Sequence, residues 1–226
     1  MCGRYVLISP AEAMLRLFGL DVPKTTPTRF NMAPGQYGWI ARAAGDRSQM
    51  EAAEARWGLV PAWAKDTSVG YKTINARSET AAEKPAFREA MKSRRCLIPS
   101  HAFYEWQGAK ASKQPYLIYA EDRSPLVFAG LWERWEQRGE ALETFSILTT
   151  AADQAIAWMH PRMPVTLPQE AWEPWVLGDT TIAHAVLESP RNVPWAYHMV
   201  STAVNSVKND TVELVKRWEE PQGSLI

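Results

Sequence analysis

Arg95-Cys96-Leu97-Ile98-Pro99-Ser100-His101-Ala102-Phe103-Tyr104-Glu105-Trp106 is the stretch that decides the fold of this chain. It reads as two short strands, Cys96–Pro99 and Ala102–Trp106, because brief apolar and aromatic runs bounded by turn residues are strand signals. Tyr116–Tyr119, Leu126–Trp132 and Thr144–Thr149 continue the pattern, with Glu140 expected in the loop between the last two. Upstream, Tyr37–Ala41 and Met50–Gly58 read as strands around a polar Gly45-Asp46 turn. Ala196–Val200 reads as a late strand. Helical patterns lie on the margins. Ser9-Pro10 caps a short helix over Ala11–Phe18, with Met14, Leu15, Leu17 and Phe18 as its apolar face. Ser78–Met91 is helical in pattern until Pro85 ends or kinks it. Ala151–Met159, Pro168–Val176 and Thr180–Glu188 complete the set. Many short strands with marginal helices give an α+β class: a curved, mostly antiparallel sheet with peripheral short helices. No linker or repeat divides residues 1–226, so one domain is expected, with a peripheral tail after about residue 210.

The composition narrows the function. The 25 basic and 25 acidic residues cancel, so any nucleic-acid contact must come from a local patch. Residues 56–95 supply one, with nine Lys/Arg against four Asp/Glu. Glu121 to Glu143 runs acidic. The chain holds two cysteines, Cys2 and Cys96, with no CxxC and no Cys/His pair at zinc-ligand spacing, so neither a disulfide framework nor a metal site is expected. No signal peptide and no apolar run long enough for a membrane span are legible. These features point to a cytoplasmic protein without metal or cofactor. The 11 Trp are unusual. Trp57, Trp63, Trp175 and Trp195 stand beside Pro or Gly in apparent loops, offering flat faces for stacking, although filling a core is the ordinary role of such residues.

Met1-Cys2-Gly3-Arg4 carries the most specific chemistry. Cysteine is small enough for the initiator methionine before it to be removed. Cys2 would then hold an α-amine and a thiol on adjacent carbons, with ordinary pKa values of about 7.7–8.0 and 8.5. Such a 1,2-aminothiol condenses with an aldehyde to an imine, and the thiol closes on the imine carbon as a thiazolidine. The alternative is that Cys2 is a buried small hydrophobe.

Four further clusters stand at element edges: Asn31-Met32-Ala33-Pro34-Gly35; Arg56–Trp63 with Thr73–Thr80; Arg95–Pro99 leading into Phe103–Trp106; and Met159–Pro164. Glu105 lies among aromatics, where desolvation favours a general acid or base, unless it points to solvent from an alternating strand. His160 sits in a loop between a helical pattern and Pro161, a setting that suits catalysis but also suits a cation at a helix C-terminus. His101, His184 and His198 have no comparable setting and are assigned to structure.

Taken in order, Met-Cys-Gly-Arg, Asn-x-Ala-Pro-Gly, Trp-Gly-x-x-Pro-x-Trp, Asn-Ala-Arg-x-Glu-Thr, Tyr-Glu-Trp, Thr-x-Ala-Asp and His-x-Arg-Met-Pro resemble the SRAP, or abasic-site-processing, family. The resemblance runs from Cys2 to about Asn209. It implies a barrel-like core and a shield for abasic sites in single-stranded DNA, whose ring-opened sugar presents an aldehyde. By that resemblance Cys2 is the nucleophile and Asn75 orients the amine or the sugar. Glu105 and His160 are the acid/base pair. Arg4, Arg77 and Arg162 contact phosphates, while Asn31, Pro34 and Trp63 line the channel for neighbouring bases. It also implies DNA association in the cytoplasm, a monomer, and a strand-cutting lyase side reaction. One departure is Ala64, where many members place a second aromatic.

Two other functions compete. A cysteine peptidase or amidohydrolase with an N-terminal nucleophile would also use Cys2 with Glu, His and Asn, but has little need of three arginines. A passive single-strand-binding module would use the Trp/Arg surface and the basic segment alone.

Overall fold

The structure, a computed structural model, describes residues 2–108, 113–137, 139–188 and 193–218. In chain order the strands are β1 (Tyr5–Leu7), β2 (Arg29–Met32), β3 (Tyr37–Ala43), β4 (Met50–Trp57), β5 (Asn75–Arg77), β6 (Arg95–Ser100), β7 (Ala102–Gln107), β8 (Gln114–Ala120), β9 (Leu126–Gln137), β10 (Glu140–Ala151), β11 (Arg162–Pro164) and β12 (Trp195–Met199). The helices are α1 (Pro10–Phe18), α2 (Arg88–Ser93), α3 (Trp172–Leu177) and α4 (Thr180–Glu188), with short 3-10 turns between strands. The α+β class holds.

Two sheets share one core. The first runs β12-β8-β7-β1-β2 and is antiparallel throughout. In the second, β10 pairs with β4, β4 with β3, β3 with β6, β6 with β9, and β9 again with β10. That ring is a closed barrel, and closure removes the edges that an open sheet would expose. The 12-residue β9 and β10 make closure possible, because each is long enough to serve different partners along its length. The far end of β10 takes β5 in parallel and β11 in antiparallel register. Tyr5, Phe103 and Ile118 of the first sheet pack with Ile40, Phe145 and Ile147 of the barrel. Tyr5 meets Trp57 edge-on at 5.3 Å, a contact of about 0.5–1.5 kcal/mol beyond burial.

Several expectations change. Glu140 opens β10, because the β9–β10 pairing extends to Gln137. Residues 78–87 form turns, and helix begins only at Arg88, after Pro85 has removed a backbone donor. Residues 154–159 form turns rather than helix, and Ala151 ends β10, recruited into the ladder with Arg162. Ser9 does not cap α1 with its side chain. It adopts φ 44°, and its N–H donates to Thr28 Oγ1. Strands β1, β2, β5 and β11 are too short to show a periodicity in the sequence. The segment after residue 210 is tied in through residue 218: Asp210 accepts from the N–H groups of Phe30 and Asn31, and Leu214 is buried. No described helix is long and apolar enough to cross a membrane.

Candidate active site

The N-terminal residues run beside β7. Tyr5 pairs with Phe103, and the Tyr104 N–H donates to the Arg4 carbonyl at 3.0 Å, which carries Cys2 and Gly3 along Glu105. Cys2 and Glu105 are both buried, Glu105 at 4% exposure. Burial first, and the Glu105 carboxylate second, push the Cys2 thiol well above its ordinary range. The thiol of Cys96, on the barrel, is also raised by burial.

Asn75 reaches the same place from the barrel. It heads β5, opposite Ile147 of β10, and its Nδ2 donates to the Cys2 carbonyl at 2.8 Å. The loop before it is held by a backbone crossing. Gly58 has φ 119°, and a Cβ there would lie 2.6 Å from the Gly70 carbonyl oxygen, so only glycine fits. Trp57 is a core residue whose indole N–H donates to the Ile74 carbonyl. The loop thereby lifts Trp63 (63% exposed) and Tyr71 (74% exposed) into solvent. Tyr71 lies over Gly35, in the turn that holds Pro34. The sequence reading passed over Tyr71; an aromatic four residues before Asn75 in a Gly/Ser loop was the available signal. Trp175 is buried in α3, Trp57 ends β4 and Trp195 opens β12, so of the four tryptophans expected in loops only Trp63 stands in one. Ala64 is buried, and its carbonyl accepts from the Trp135 indole.

His160 enters from the opposite flank of β10. Its Nδ1 lies 3.0 Å from the Arg162 N–H and 3.2 Å from the Arg162 carbonyl oxygen, so the ring is held against the main chain of β11. Arg162 stands opposite Ala151 in β11, and Arg77 stands opposite Thr149 in β5, so both arginines meet the same end of β10. Their situations differ. Arg77 is exposed. Arg162 forks onto Glu79 at 2.6 and 2.8 Å and also donates to the Thr149 carbonyl. That bidentate pair holds the Glu79 carboxyl below its usual range. Arg4 is half-buried, with Nη1 on the Gly3 carbonyl and Nε without a partner; desolvation lowers its pKa.

Asn31 is placed apart from these groups. It is fully buried, and its Nδ2 donates to the carbonyls of Val204, Ser206 and Asn209. Its Nδ2 braces the C-terminal turns, while its Oδ1 is buried without a hydrogen-bond partner. Arg95 of the basic segment is likewise internal, donating to the carbonyls of Trp175, Met91, Lys92 and Gly178. The exposed cations of that segment are Lys65, Lys72, Arg77 and Lys84 among others. No group of three His, Cys, Asp or Glu among the described residues could hold a metal.

Buried Cys2 and Glu105 thus lie with half-buried Asn75 where the two sheets join, and the family pattern of SOS response associated peptidase matches residues 1–207. The chain belongs to the SRAP family. It is 37% identical over 224 residues to the abasic site processing protein YoqW of Bacillus subtilis, covering 96% of this chain and 99% of that one. It is 30% identical over 226 residues to the abasic site processing protein YedK of Escherichia coli, with 96% and 99% coverage. To the abasic site processing protein HMCES of Gallus gallus it is 36% identical over 196 residues, covering 74% of this chain and 58% of that protein. A solved protein from Bacteroides thetaiotaomicron superposes with a TM-score of 0.84 at 26% identity, over 96% of this chain and all of that one.

Proposed function

We propose that this SRAP protein processes abasic sites in single-stranded DNA by trapping the sugar aldehyde on Cys2 after loss of Met1, which itself lies outside the described residues. The observation that carries the reading is that half-buried Asn75 and buried Glu105 both meet Cys2. The reaction balances without an added cofactor. The α-amine of Cys2 adds to C1′ of the ring-opened sugar, and a proton from an acid releases water as the imine forms. The thiol then adds to the imine carbon, and its proton ends on the ring nitrogen. The net change is loss of one water. A thiol held protonated by its surroundings needs a base as it adds, and Glu105 is the group whose charge it feels. His160 is the partner for the sugar oxygens, its Nδ1 held against the Arg162 main chain. The Asn75 amide fixes the main chain of Cys2, so the nucleophile is aimed before DNA arrives.

Arg77 and Arg4 are the phosphate contacts in this reading. Arg162 joins them only by sharing its fork with Glu79. Pro34, Trp63 and Tyr71 form the base-stacking surface, and Asn31 is assigned to the framework. The protein acts as a monomer in the DNA-containing cytoplasm. The imine also permits β-elimination, a lyase side reaction. The peptidase reading remains attached to the family's name and uses the same Cys2, but the arginines around the site favour DNA.

The test is intact mass before and after incubation with an abasic single-stranded oligonucleotide. Protein lacking Met1 should shift by the oligonucleotide minus one water, and Cys2→Ala should not. Cys2→Ser should yield only a labile, reducible imine. Glu105→Gln should slow the adduct. Processed protein that forms no adduct would overturn the proposal in favour of the peptidase.

A further inference from the structure

The five-stranded sheet carries an aromatic cluster that none of the roles above uses. Tyr116 stands opposite Glu105 in the β7–β8 ladder and opposite Met199 in the β8–β12 ladder, while Tyr197 stands opposite Ile118. Directly opposed residues share a face of the sheet. One face therefore passes from buried Glu105 through half-buried Tyr116 to Tyr197 and Met199, which are 39% and 37% exposed. Trp158, two residues before His160, closes against it. Its ring lies 5.2 Å from Tyr116 and 5.5 Å from Tyr197, both edge-on, and the two tyrosines are 6.3 Å apart. The indole N–H donates to the Ala155 carbonyl. Trp158 nevertheless remains 48% exposed.

A tryptophan held on two edges and by its N–H, yet half open, presents a fixed flat apolar surface. The cluster is continuous with the candidate active site at both ends: one tyrosine opposes Glu105, and Trp158 sits on the loop of His160. Asp153, bonded to the Ala155 N–H, is an acidic group on the Trp158 turn. A flat apolar surface joined at both ends to a site for an abasic sugar matches one occupant, the nucleobase of an adjoining nucleotide. Stacking on aromatics is tolerant of sequence, because every base offers a π-face.

We propose that Tyr116, Trp158 and Tyr197 form a stacking seat for the base of a nucleotide flanking the abasic position. The inference rests on the reading of the Cys2 site as an acceptor of abasic single-stranded DNA. It adds a second base platform, separate from Pro34, Trp63 and Tyr71.

The test uses short single strands with a tetrahydrofuran abasic analogue at the centre and a baseless three-carbon spacer at each flanking position in turn. Wild-type protein should lose affinity when the spacer replaces the base that sits on the cluster. Trp158→Ala should weaken binding of the parent strand by about 5- to 100-fold and become insensitive to the spacer at that one position. Trp158→Phe should retain most of the coupling, and Trp158→Leu, which keeps apolar volume without a flat indole, should not. A Trp158→Leu protein with wild-type affinity and wild-type spacer sensitivity overturns the seat. So does a variant that changes self-association while DNA binding stays as in wild type, which would assign the cluster to a protein contact. Wild-type protein that shows the coupling but forms no covalent adduct with a natural abasic site overturns the Cys2 chemistry and leaves the seat standing. Wild-type protein that binds no single-stranded DNA overturns both.

Discussion

The side-chain amide of Asn75 donates to the main-chain carbonyl of Cys2 at 2.8 Å, across 73 residues of sequence. It is the bond through which the barrel positions the N-terminal segment of the first sheet. Asn75→Ala removes one hydrogen bond of about 0.5–1.5 kcal/mol. Its effect on chemistry should be larger than its effect on stability, because misplacement of a reacting group by about 1 Å can cost 100-fold in rate. The expected outcome is a small loss in urea stability with adduct formation slowed by roughly 10- to 100-fold. Adduct kinetics that match wild type would make the bond structural only.

Glu105 should act on Cys2 in two opposite directions. Its charge helps hold the thiol protonated, so Glu105→Gln should speed alkylation of Cys2 by iodoacetamide several-fold at pH 8, read by peptide mass spectrometry. The same variant should slow adduct formation with abasic DNA, because the proton acceptor is gone. Both rates falling together would mean that the substitution had merely disturbed the fold. Cys96, buried in the barrel, serves as the internal control.

The Glu79–Arg162 fork gives a pH signature. The carboxyl's pKa is lowered from its ordinary 4.5 in the folded protein, first by the Arg162 hydrogen bond. Stability from the pair is therefore fully present above about pH 4.5 and is lost as pH falls through the folded value. Glu79 is half exposed, so solvent screening limits the pair to about 0.5–1 kcal/mol. Glu79→Gln should lower urea stability by that amount at pH 7 and by much less at pH 3. Releasing Arg162 should also steepen the salt dependence of single-strand binding by about one phosphate contact. An unchanged slope would make Arg162 a positioning residue for His160.

Gly58 tests the loop that delivers Asn75. With φ 119° and the Gly70 carbonyl oxygen 2.6 Å from any added Cβ, Gly58→Ala must displace backbone. The expected cost is about 2–4 kcal/mol in chemical denaturation. Adduct formation should fall with it, since Trp63, Tyr71 and Asn75 all hang on this crossing.

The strands from Arg95 to Ala151 were legible because each is a run of apolar and aromatic residues with turn residues at its ends. The helix expected over 151–159 failed for a related reason: Ala151 belongs to a ladder whose other strand, β11, has only three residues and no pattern of its own. Among site residues, Asn31 and Asn75 look alike in sequence, each between two apolar residues (Phe30 and Met32; Ile74 and Ala76). The fold buries one amide against the carbonyls of residues 204–209 and aims the other at Cys2. Arg77 and Arg162 look alike too, and only the approach of Glu79 separates an exposed cation from a paired one.

The sequence alone determined the chemical inventory: a cysteine directly after Met1, a carboxylate set among aromatics, a histidine before a proline, and the barrel-forming strands. Those properties are local, since they depend on neighbours within a few residues. Only the tertiary structure decided which of these groups meet. Barrel closure through β9 and β10, with β5 and β11 flanking the far end of β10, sets the positions of Asn75, Arg77 and His160. Pairing of β1 with β7 sets Cys2 beside Glu105. Hydrogen-bond partners and burial across such separations follow from strand register, which no window of sequence contains.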